Sequence, residues 1–461
     1  MPDRPAPARK STSRTSAKAT QPPRLSVIGT GYLGATHAAA MAALGFQVVG
    51  FDTDPTKVAA LSLGKVPFYE PGLDELLVEQ VESGRLRFTS DVADAVASSD
   101  VHFVCVGTPQ QATSHAADLS HVEAAVRAVA ENLVGDALIV GKSTVPVGTA
   151  SWLRGLLADA APAGVRAELV WNPEFLREGK AVQDTLHPDR VVVGGASARA
   201  EELLRTVYAQ PVAEGAPFIS CDLPTAELVK VSANAFLATK ISFINAIAGV
   251  CEAAGADVTV LADALGHDSR IGRQFLDAGL GFGGGCLPKD IRALMHRAGE
   301  LGAHHASRLL QQVDEINMGQ RERVIAMATE ACGGSVLNRR IGVLGAAFKP
   351  DTDDVRDSPA LNVAAALHLR GAQVTVFDPQ ASDTARRTFP TLGYAASAED
   401  AVQGTDVVLL LTEWPELVAL DAGRLAALTA TARVIDARGK LDAQAWRAAG
   451  WEFTGLGRIA A

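Results

Sequence analysis

Short apolar segments of strand length recur along the first third of the chain, and turns rich in glycine, threonine or proline follow them. The segments at residues 25–28, 101–106 and 137–140 are almost wholly apolar instead of alternating between apolar and polar. Uninterrupted apolar runs of about four to eight residues are typical of strands buried on both faces of a parallel sheet. Helix-forming stretches such as residues 35–44 separate them. The pattern predicts an α/β fold with a doubly wound sheet.

The same order of strand-like segments returns near the end of the chain. The repeated segments are residues 340–345, 373–378, 405–412 and 433–436. We therefore predict a second Rossmann-like domain. Its first turn, GAAFKP at residues 345–350, lacks the glycines of a dinucleotide site and contains Lys349. A lysine in that turn favours a different, phosphorylated ligand.

A long apolar segment lies between the two repeats. Residues 223–254 carry apolar side chains on more than one side, which predicts one helix of roughly 45 Å. Such a helix is longer than one small domain, so we expect it to join the two domains and to carry a dimer interface. Lys230 and Asn234 lie one turn apart on it. They are either a snorkelling lysine beside a satisfied amide or two donors directed at a developing oxyanion.

Composition and charge exclude several classes of protein. The net charge of −10 argues against binding to nucleic acid or to anionic membranes. The strongest apolar run, residues 407–411, is far shorter than the ~18 residues of a membrane span. Five scattered cysteines without CxxC or Cys/His spacing indicate neither a disulfide framework nor a zinc site, so no metal is expected and the location is predicted to be cytoplasmic. Residues 1–23, rich in Pro, Ala, Ser and Thr, are predicted to be a disordered tail.

The first strand leads into a glycine fingerprint. Residues 29–34 read GTGYLG, a helix follows, and the next strand ends in Asp52. The glycines permit a tight turn and close approach of a pyrophosphate to the helix N-terminus. An acidic residue at position 52 would accept bonds from both ribose hydroxyls, which favours NAD over NADP. Thr108 and Thr144 follow later strands and are candidates to face the cofactor, or else ordinary turn threonines.

A second glycine-rich stretch, GFGGGCLPKD at residues 281–290, precedes a predicted helix. Glycines allow the backbone to approach a ligand closely. Cys286 lies where the helix begins, and the helix dipole is expected to lower the pKa of its thiol and make it a nucleophile. The alternative is a buried structural cysteine. Glu174 and Glu178 are four residues apart, so they share a face if the segment is helical. One of them is a candidate base, or else the two are solvated carboxylates.

Seven motifs together resemble the UDP-glucose/GDP-mannose dehydrogenase family, over residues 24–461. The resemblance implies three functional parts: an NAD-binding Rossmann domain at residues 24–215, a central helical and dimerisation domain with the cysteine loop at 216–325, and a UDP-sugar-binding domain at 326–461. Gly285 occupies a position where the family more often has serine. The motifs are GTGYLG (29–34), CVGTP (105–109), KSTVPVGT (142–149), NPEFLREG (172–179), KVSANAF (230–236), GFGGGCLPKD (281–290) and AFKPDTDDVR (347–356).

The resemblance also implies a reaction and partners. We expect four-electron oxidation of a sugar C6 hydroxymethyl group to a carboxylate with two NAD+, UDP-glucose being the expected substrate and UDP-glucuronate the product. An aldehyde gives up a second hydride readily only after a nucleophile has added to it, so a thiohemiacetal and then a thioester on the cysteine are expected. A homodimer or higher homo-oligomer that binds neither nucleic acid nor membrane is implied.

Residue roles follow from the matched motifs. Cys286 is the expected nucleophile, Lys230 and Asn234 the oxyanion donors, Asp290 the group that positions water, and Thr144 and Glu174 neighbours of that water, Glu174 being the expected base for thioester hydrolysis. Arg270 matches an arginine that reaches across from a neighbouring subunit. The expected cofactor-binding residues are Gly29, Gly31, Tyr32, Leu33, Gly34, Asp52, Lys57, Thr108, Thr144, Glu178 and Arg356. The expected substrate-binding residues are Glu174, Phe175, Leu176, Lys230, Asn234, Arg270, Phe275, Leu276, Gly279, Gly283, Lys349 and Arg438.

Alternative functions fit the sequence less well than oxidation of UDP-glucose. Within the family, GDP-mannose 6-dehydrogenation shares the Cys-Lys-Asp chemistry, whereas the branch acting on N-acetylated UDP-sugars lacks the Lys289-Asp290 pair. A UDP-sugar epimerase would need a Tyr-x-x-x-Lys pair, and none of the four tyrosines has a lysine four residues on. A non-catalytic NAD or sugar-nucleotide sensor would not need Cys286, Lys230, Asn234 and Asp290 together.

Overall fold

The computed structural model describes residues 21–457 and contains two parallel sheets joined by long helices. Residues 1–20 of the predicted tail lie outside the described residues. The expectation of two Rossmann-like domains and a long central helix is confirmed.

The first sheet has eight strands in the order β3-β2-β1-β4-β5-β6-β7-β8, all paired in parallel except β6 with β7. The crossover between β1 and β4 creates the crevice in which doubly wound sheets bind ligands. The strands are β1 (Leu25–Ile28), β2 (Val48–Phe51), β3 (Leu86–Thr89), β4 (Val101–Val104), β5 (Ala137–Gly141), β6 (Ala167–Trp171), β7 (Val191–Gly194) and β8 (Phe218–Cys221).

Helices cover both faces of this sheet. The first helix buries almost every residue from Gly34 to Ala42, and these residues are mostly alanine, so the helix packs closely on the strands. The helices are α1 (Tyr32–Ala43), α2 (Pro55–Ser62), α3 (Leu73–Glu82), α4 (Val92–Ala97), α5 (Ser120–Glu131), α6 (Thr149–Ala160), α7 (Ala181–Leu186), α8 (Ala198–Val207) and α9 (Ala209–Ala213).

The central region is helical, with α10 (Leu223–Ala254), α11 (Val258–Gly266), α12 (Leu287–Glu300) and α13 (His304–Ala331). The bounds of α10 are those predicted. Asp222 caps its start by accepting from the Thr225 N–H at 2.7 Å, and Gly255 ends it in the left-handed conformation, at φ 74°. The helix packs against α6 and β7 and also against α12 and α13, so it links the first domain to the rest.

By length and composition, α10 also meets the criteria for a membrane span, with a mean hydropathy of 1.3 over 18 residues. It is the one such helix within residues 21–457. Its apolar character does not show as an uninterrupted apolar run, because polar residues are spaced along the helix. Its contacts with α6, β7, α12 and α13 are those of a helix packed inside a folded chain.

The second sheet has six parallel strands in the order β11-β10-β9-β12-β13-β14, which matches the order of the first six strands of the first sheet. The buried side chains of this domain form one hydrophobic cluster, which includes Val324 of α13 and Leu456 near the end of the described residues. The strands are β9 (Arg340–Leu344), β10 (Gln373–Phe377), β11 (Gly393–Tyr394), β12 (Val407–Leu410), β13 (Arg433–Asp436) and β14 (Glu452–Gly455). The helices are α14 (Pro359–Leu369), α15 (Ser382–Thr388), α16 (Ala398–Val402), α17 (Pro415–Val418), α18 (Ala422–Ala426) and α19 (Ala443–Ala448).

Candidate active site

The turn after β1 has the geometry of a dinucleotide-binding turn. Gly29 has φ +89°, which favours glycine, and a Cβ on Gly34 would lie 1.8 Å from the Gly29 carbonyl oxygen. A Cβ on Gly31, by contrast, would meet no atom within 4 Å. The first and last glycines therefore let α1 approach the strand, and the middle one leaves open space at the helix N-terminus, where a pyrophosphate fits.

Asp52 lies directly after β2, beside this turn. Its carboxylate accepts from the Thr30 N–H at 2.9 Å and from the Asp54 N–H at 3.1 Å, and it pairs with Lys57 at 2.9 Å. Burial raises the pKa of Asp52, but the Lys57 ammonium and the two N–H groups lower it more, so the net pKa is below its usual value. The two predicted cofactor residues, Asp52 and Lys57, thus form one charged pair at the edge of the crevice.

Tyr32 takes part in a cluster that the sequence analysis did not predict. Its hydroxyl donates to Glu70, which is 5% exposed and also accepts from the N–H groups of Gly179 at 2.6 Å and Ala181 at 2.7 Å. The cluster ties α1 to the loop that carries Glu178. Leu33, the neighbouring fingerprint residue, packs against the core of the first domain.

Thr108 and Thr144 lie at the ends of adjacent strands, as predicted. The Thr108 hydroxyl donates to the Thr144 carbonyl at 2.8 Å. Both residues line a small cavity together with Val231, Lys289 and Asp290. The cavity thus connects the strand ends of the first domain to α10 and to the start of α12.

The glycine loop before Cys286 is clamped by the elements around it. The Gly279 N–H donates to Asn245 of α10 at 2.8 Å, and a Cβ on Gly283 would lie 2.3 Å from the Asp357 carbonyl oxygen. Gly281 and Gly284 have φ values of +90° and +84°. These close approaches explain why the loop requires glycine.

Cys286 is the N-cap of α12, but its thiol is not the low-pKa group that was predicted. Its side chain accepts no capping bond from the helix. Burial raises the pKa of the thiol, and the Glu178 and Asp290 carboxylates raise it further, while Lys289 and Lys230 oppose them. The net shift is upward, so the predicted lowering is wrong. The residue as a whole nevertheless remains exposed to solvent.

Asp290 and Asn234 meet beside the cysteine. Asp290 is 3% exposed and lies one turn beyond Cys286 on α12. It accepts from the Asn234 amide at 2.7 Å and pairs with Lys289 at 2.6 Å. Lys230, one turn before Asn234 on α10, has its ammonium 5.6 Å from the centre of the Phe175 ring. Four predicted residues, from α10 and α12, therefore converge at one place.

Glu174 and Glu178 do not share a helix face, because residues 172–177 have no regular secondary structure. One Glu174 oxygen accepts from the N–H groups of Phe175 at 2.6 Å and Leu176 at 2.8 Å, and the other pairs with Lys142 at 3.3 Å. The segment is not helical, so the condition for a shared face is not met. The backbone turns at each glutamate and directs the two carboxylates to different partners.

Glu178 faces the C-terminal domain. It pairs with Arg356 at 3.2 Å, and its second oxygen is buried without a hydrogen-bond partner among residues 21–457. Burial raises the pKa of Glu178 to about 7, and Asp354 raises it as well, against the opposing effect of Arg356 and Lys349. Lys349 donates to the Glu178 carbonyl, so two cations from the second domain contact this one residue.

Three of the predicted substrate-binding residues, Arg438, Leu276 and Phe275, differ in burial and in their contacts. Arg438 donates to the carbonyls of Leu411 at 2.6 Å, Gly281 at 3.1 Å and Phe348 at 3.2 Å, so it holds the glycine loop onto the second domain. Leu276 is buried, and Phe275 has φ +64°.

Arg270 and Arg356 are the more exposed arginines of the predicted set. The Arg270 side chain is 86% exposed, pairs with Asp268 and lies on the surface. Arg356 lies against the backbone of Gly285, where a Cβ would lie 2.3 Å from the guanidinium carbon. Glycine at position 285 therefore leaves room for this arginine next to Cys286.

Sequence reasoning missed several polar residues that support the site. Lys142, Tyr208 and Glu70 are each 5% exposed or less and contact predicted site residues or their loops. Lys142 lies directly after β5 and is the first residue of the KSTVPVGT motif, and this position is the feature of the sequence that could have indicated it. No group of three His, Cys, Asp or Glu side chains in the described range could hold a metal ion.

Comparison with known proteins assigns most of the chain to one family. Three family models match, all described as UDP-glucose/GDP-mannose dehydrogenase family: the NAD binding domain at residues 23–212, the central domain at 224–319 and the UDP binding domain at 342–443. The chain is 42% identical to UDP-glucose 6-dehydrogenase TuaD of Bacillus subtilis, over 95% of this chain and 94% of that protein. It is 41% identical to UDP-glucose 6-dehydrogenase of Rhizobium meliloti, over 94% and 99%.

Among solved structures, a UDP-glucose dehydrogenase from Pyrobaculum islandicum matches with a TM-score of 0.88 and 38% identity, over 96% of this chain and 99% of that one. The family model for the first domain agrees with the NAD fingerprint and with the geometry of its turn. The chain therefore belongs to the UDP-glucose/GDP-mannose dehydrogenase family, whose members are NAD-dependent oxidoreductases.

Proposed function

We propose that this chain oxidises UDP-glucose at C6 to UDP-glucuronate in two NAD-dependent steps. The observation that carries the proposal is the convergence of Cys286, Asn234 and Asp290 where the two domains meet. The printed names of the relatives support UDP-glucose as the sugar nucleotide. NAD, bound at the turn after β1, would supply the hydride acceptor for both oxidations.

In the first oxidation the C6 hydroxyl loses its proton while a hydride leaves the carbon, and negative charge develops on the oxygen. Lys230 and Asn234 are the donors proposed to stabilise that charge. An amide has two N–H donors, and Asn234 gives one to Asp290 at 2.7 Å. The other is available to the substrate oxygen. The product of this step is an aldehyde.

In the second oxidation the Cys286 sulfur adds to the aldehyde carbon. The C–S bond forms, the thiol proton leaves, and the carbonyl oxygen takes up a proton, which gives a thiohemiacetal. Loss of a second hydride from the same carbon, with the hydroxyl proton, gives a thioester.

Hydrolysis completes the sequence. A water oxygen adds to the thioester carbon, its proton passes to the Glu174 carboxylate, and the C–S bond breaks to release the acid and Cys286. Asp290 and Thr144 line the same cavity and are proposed to hold the water. The aldehyde and the thioester stay bound throughout, which requires both NAD+ molecules to act in succession at one site.

We further propose a homodimer formed through α10 and a cytoplasmic location. Exposed apolar side chains on α10 support the first, since Phe236, Phe243 and Val250 are 66%, 49% and 60% exposed. The division of the chain into three functional domains, at residues 215/216 and 325/326, also remains a proposal. The helix α13 runs without a break across residues 325/326.

The test is an NADH stoichiometry assay with UDP-glucose, GDP-mannose and a UDP-N-acetylhexosamine. We expect two NADH per UDP-glucose and little turnover of the other two sugars. Cys286→Ser should release no glucuronate, whereas Cys221→Ser, which removes a thiol in β8, should behave as the parent. One NADH per sugar, or glucuronate released at the parent rate by Cys286→Ser, would contradict the mechanism.

A further inference from the structure

A buried polar cluster of the first domain is made of Lys142, Asn172, Glu174 and Tyr208. Lys142 follows β5 and is 4% exposed, Asn172 follows β6 and is 2% exposed, and Tyr208 follows α8 and is 4% exposed. The Lys142 ammonium is 3.1 Å from the Asn172 amide oxygen, 3.4 Å from the Tyr208 hydroxyl and 3.3 Å from a Glu174 oxygen. An ammonium has three donors, and these three contacts use them all.

The neutral members of the cluster fix the position of the lysine. The Tyr208 hydroxyl donates to the Asn172 amide oxygen at 2.6 Å, so it offers its lone pair to Lys142. The Asn172 amide nitrogen donates to the Val192 carbonyl at 2.8 Å, which fixes the orientation of the amide. The lysine is therefore held on two sides by groups that are themselves anchored to the sheet.

Within residues 21–457, Glu174 is the one acidic partner of this ammonium, and it lies in the irregular segment of residues 172–177. A buried ion pair is rarely the most stable way to fill a core, because apolar residues of similar volume do so without the cost of dehydrating charges. Burial lowers the pKa of Lys142, but Tyr208 and Glu174 raise it more, and the net pKa is above its usual value. A buried lysine that stays charged beside Glu174 therefore indicates a role for Lys142 that requires its positive charge.

We propose that Lys142 is a positioning residue that orients the Glu174 carboxylate for hydrolysis of the thioester. One Glu174 oxygen is fixed by the N–H groups of its own loop, and Lys142 fixes the other. Together these contacts hold the plane of the carboxylate, which an unpaired glutamate side chain on a loop would not do. The inference rests on the proposed function, because it assigns Glu174 the role of base in the last step.

The role predicts a kinetic pattern that a purely structural lysine would not produce. In Lys142→Met both hydride transfers should proceed and only hydrolysis should slow. We expect kcat to fall roughly 10- to 100-fold, the range found when a partner that orients a functional group is removed. KM should stay within about threefold of the parent. The first turnover should still release two NADH per active site, and intact-protein mass spectrometry should show the thioester on Cys286.

Three further variants complete the experiment. Lys142→Arg keeps a cation and should recover part of the rate. Glu174→Gln combined with Lys142→Met should be no slower than Glu174→Gln alone, since both changes act on one carboxylate. Lys65→Met, which alters an exposed lysine that follows α2, is the matched control and should keep parent kinetics. If Lys142→Met does not fold, Tyr208→Phe should show the same burst with a smaller loss of rate.

The outcomes separate the two proposals. A parent protein that forms no NADH from UDP-glucose would overturn the proposed function. A parent that forms two NADH, together with a Lys142→Met variant that hydrolyses at the parent rate, would overturn only the role of Lys142. A Lys142→Met variant that loses the burst, the melting temperature and KM together would show a structural role and would also overturn it.

Discussion

The two Rossmann-like domains share a strand order, yet their first turns differ in what they leave open. In the first domain Gly31 faces free space, and the pair of Asp52 with Lys57 lies at the edge of the crevice. In the second domain Ala347 stands in the place of Gly31 and is fully buried. Its carbonyl accepts from the Thr412 hydroxyl at 2.6 Å. The second turn is filled by the protein itself.

The aspartates that end the equivalent strands show the same difference. Asp378 follows β10 as Asp52 follows β2, but it is 2% exposed and is used entirely within the domain. It accepts from the N–H groups of Ala346 at 2.7 Å and Ala347 at 2.9 Å, and from the Trp414 indole at 3.0 Å. The aspartate of the first domain is proposed to bind the cofactor, whereas its counterpart makes only contacts that stabilise its own domain. A repeated topology therefore does not imply a repeated site.

The largest expected effect follows from removing the structural aspartate. Asp378→Ala would leave several buried N–H donors without a partner, and we expect a loss of about 3 kcal/mol in the free energy of unfolding. Urea denaturation would measure it. Asp383→Ala, at an exposed site in α15, is the control and should change stability little. Equal stability of the two variants would contradict the comparison.

A smaller loss is expected from closing the first turn. The methyl group of Gly34→Ala would collide with the Gly29 carbonyl, and overpacking of this kind costs about 1–3 kcal/mol. Gly31→Ala meets no protein atom, so it should unfold like the parent and yet bind NAD more weakly. Thermal unfolding and NAD titration would separate the two effects. If Gly31→Ala bound NAD as the parent does, the pyrophosphate would lie elsewhere.

Asp52→Ala tests the ligand-binding aspartate. Removing the carboxylate should weaken NAD binding by about tenfold, which corresponds to ~1.4 kcal/mol, and should relax discrimination against NADP. Titration with both dinucleotides, followed by fluorescence or calorimetry, would measure it. Asp136→Ala, at the opposite end of the strands, should leave both affinities unchanged.

The smallest expected effect is on how the free energy of unfolding changes at acidic pH. The pKa of Asp52 is lowered below its usual value of 3.8 in the folded chain. Its contribution to stability is therefore fully present above the unfolded pKa and is lost as the pH falls through the folded one. Asp52→Asn should flatten the pH dependence of unfolding below about pH 4 and leave it unchanged at neutral pH. An unaltered acid profile would show that Lys57 does not stabilise the ionised aspartate.

Local patterns accounted for most of the fold and part of the site. Apolar runs indicated β1, β2, β4 and β5 of the first sheet and β9, β10, β12 and β13 of the second. The long apolar stretch at residues 223–254 indicated α10, and the structure ends that helix with local caps at Asp222 and Gly255. The meeting of Cys286, Asn234 and Asp290 was expected from the family motifs.

Contacts between distant segments were not predictable in this way. Burial raises the pKa of Cys286, and Glu178, which lies more than a hundred residues earlier, raises it further. The Lys142 cluster and Glu70 also depend on contacts across the sheet and between loops, and such contacts have no local pattern. The irregular backbone of residues 172–177 follows from tertiary bonds that outweigh a four-residue spacing.

The helix α10 sets a fixed distance inside the site. Asn234 donates to Asp290, and Asn245 accepts from the Gly279 N–H. The two asparagines are eleven positions apart on one helix, which is roughly 16 Å along its axis. Each helical residue also turns the chain by about 100°, so inserting a single residue between them would rotate one amide away from its partner. This stretch of helix is therefore expected not to tolerate insertion or deletion of a residue.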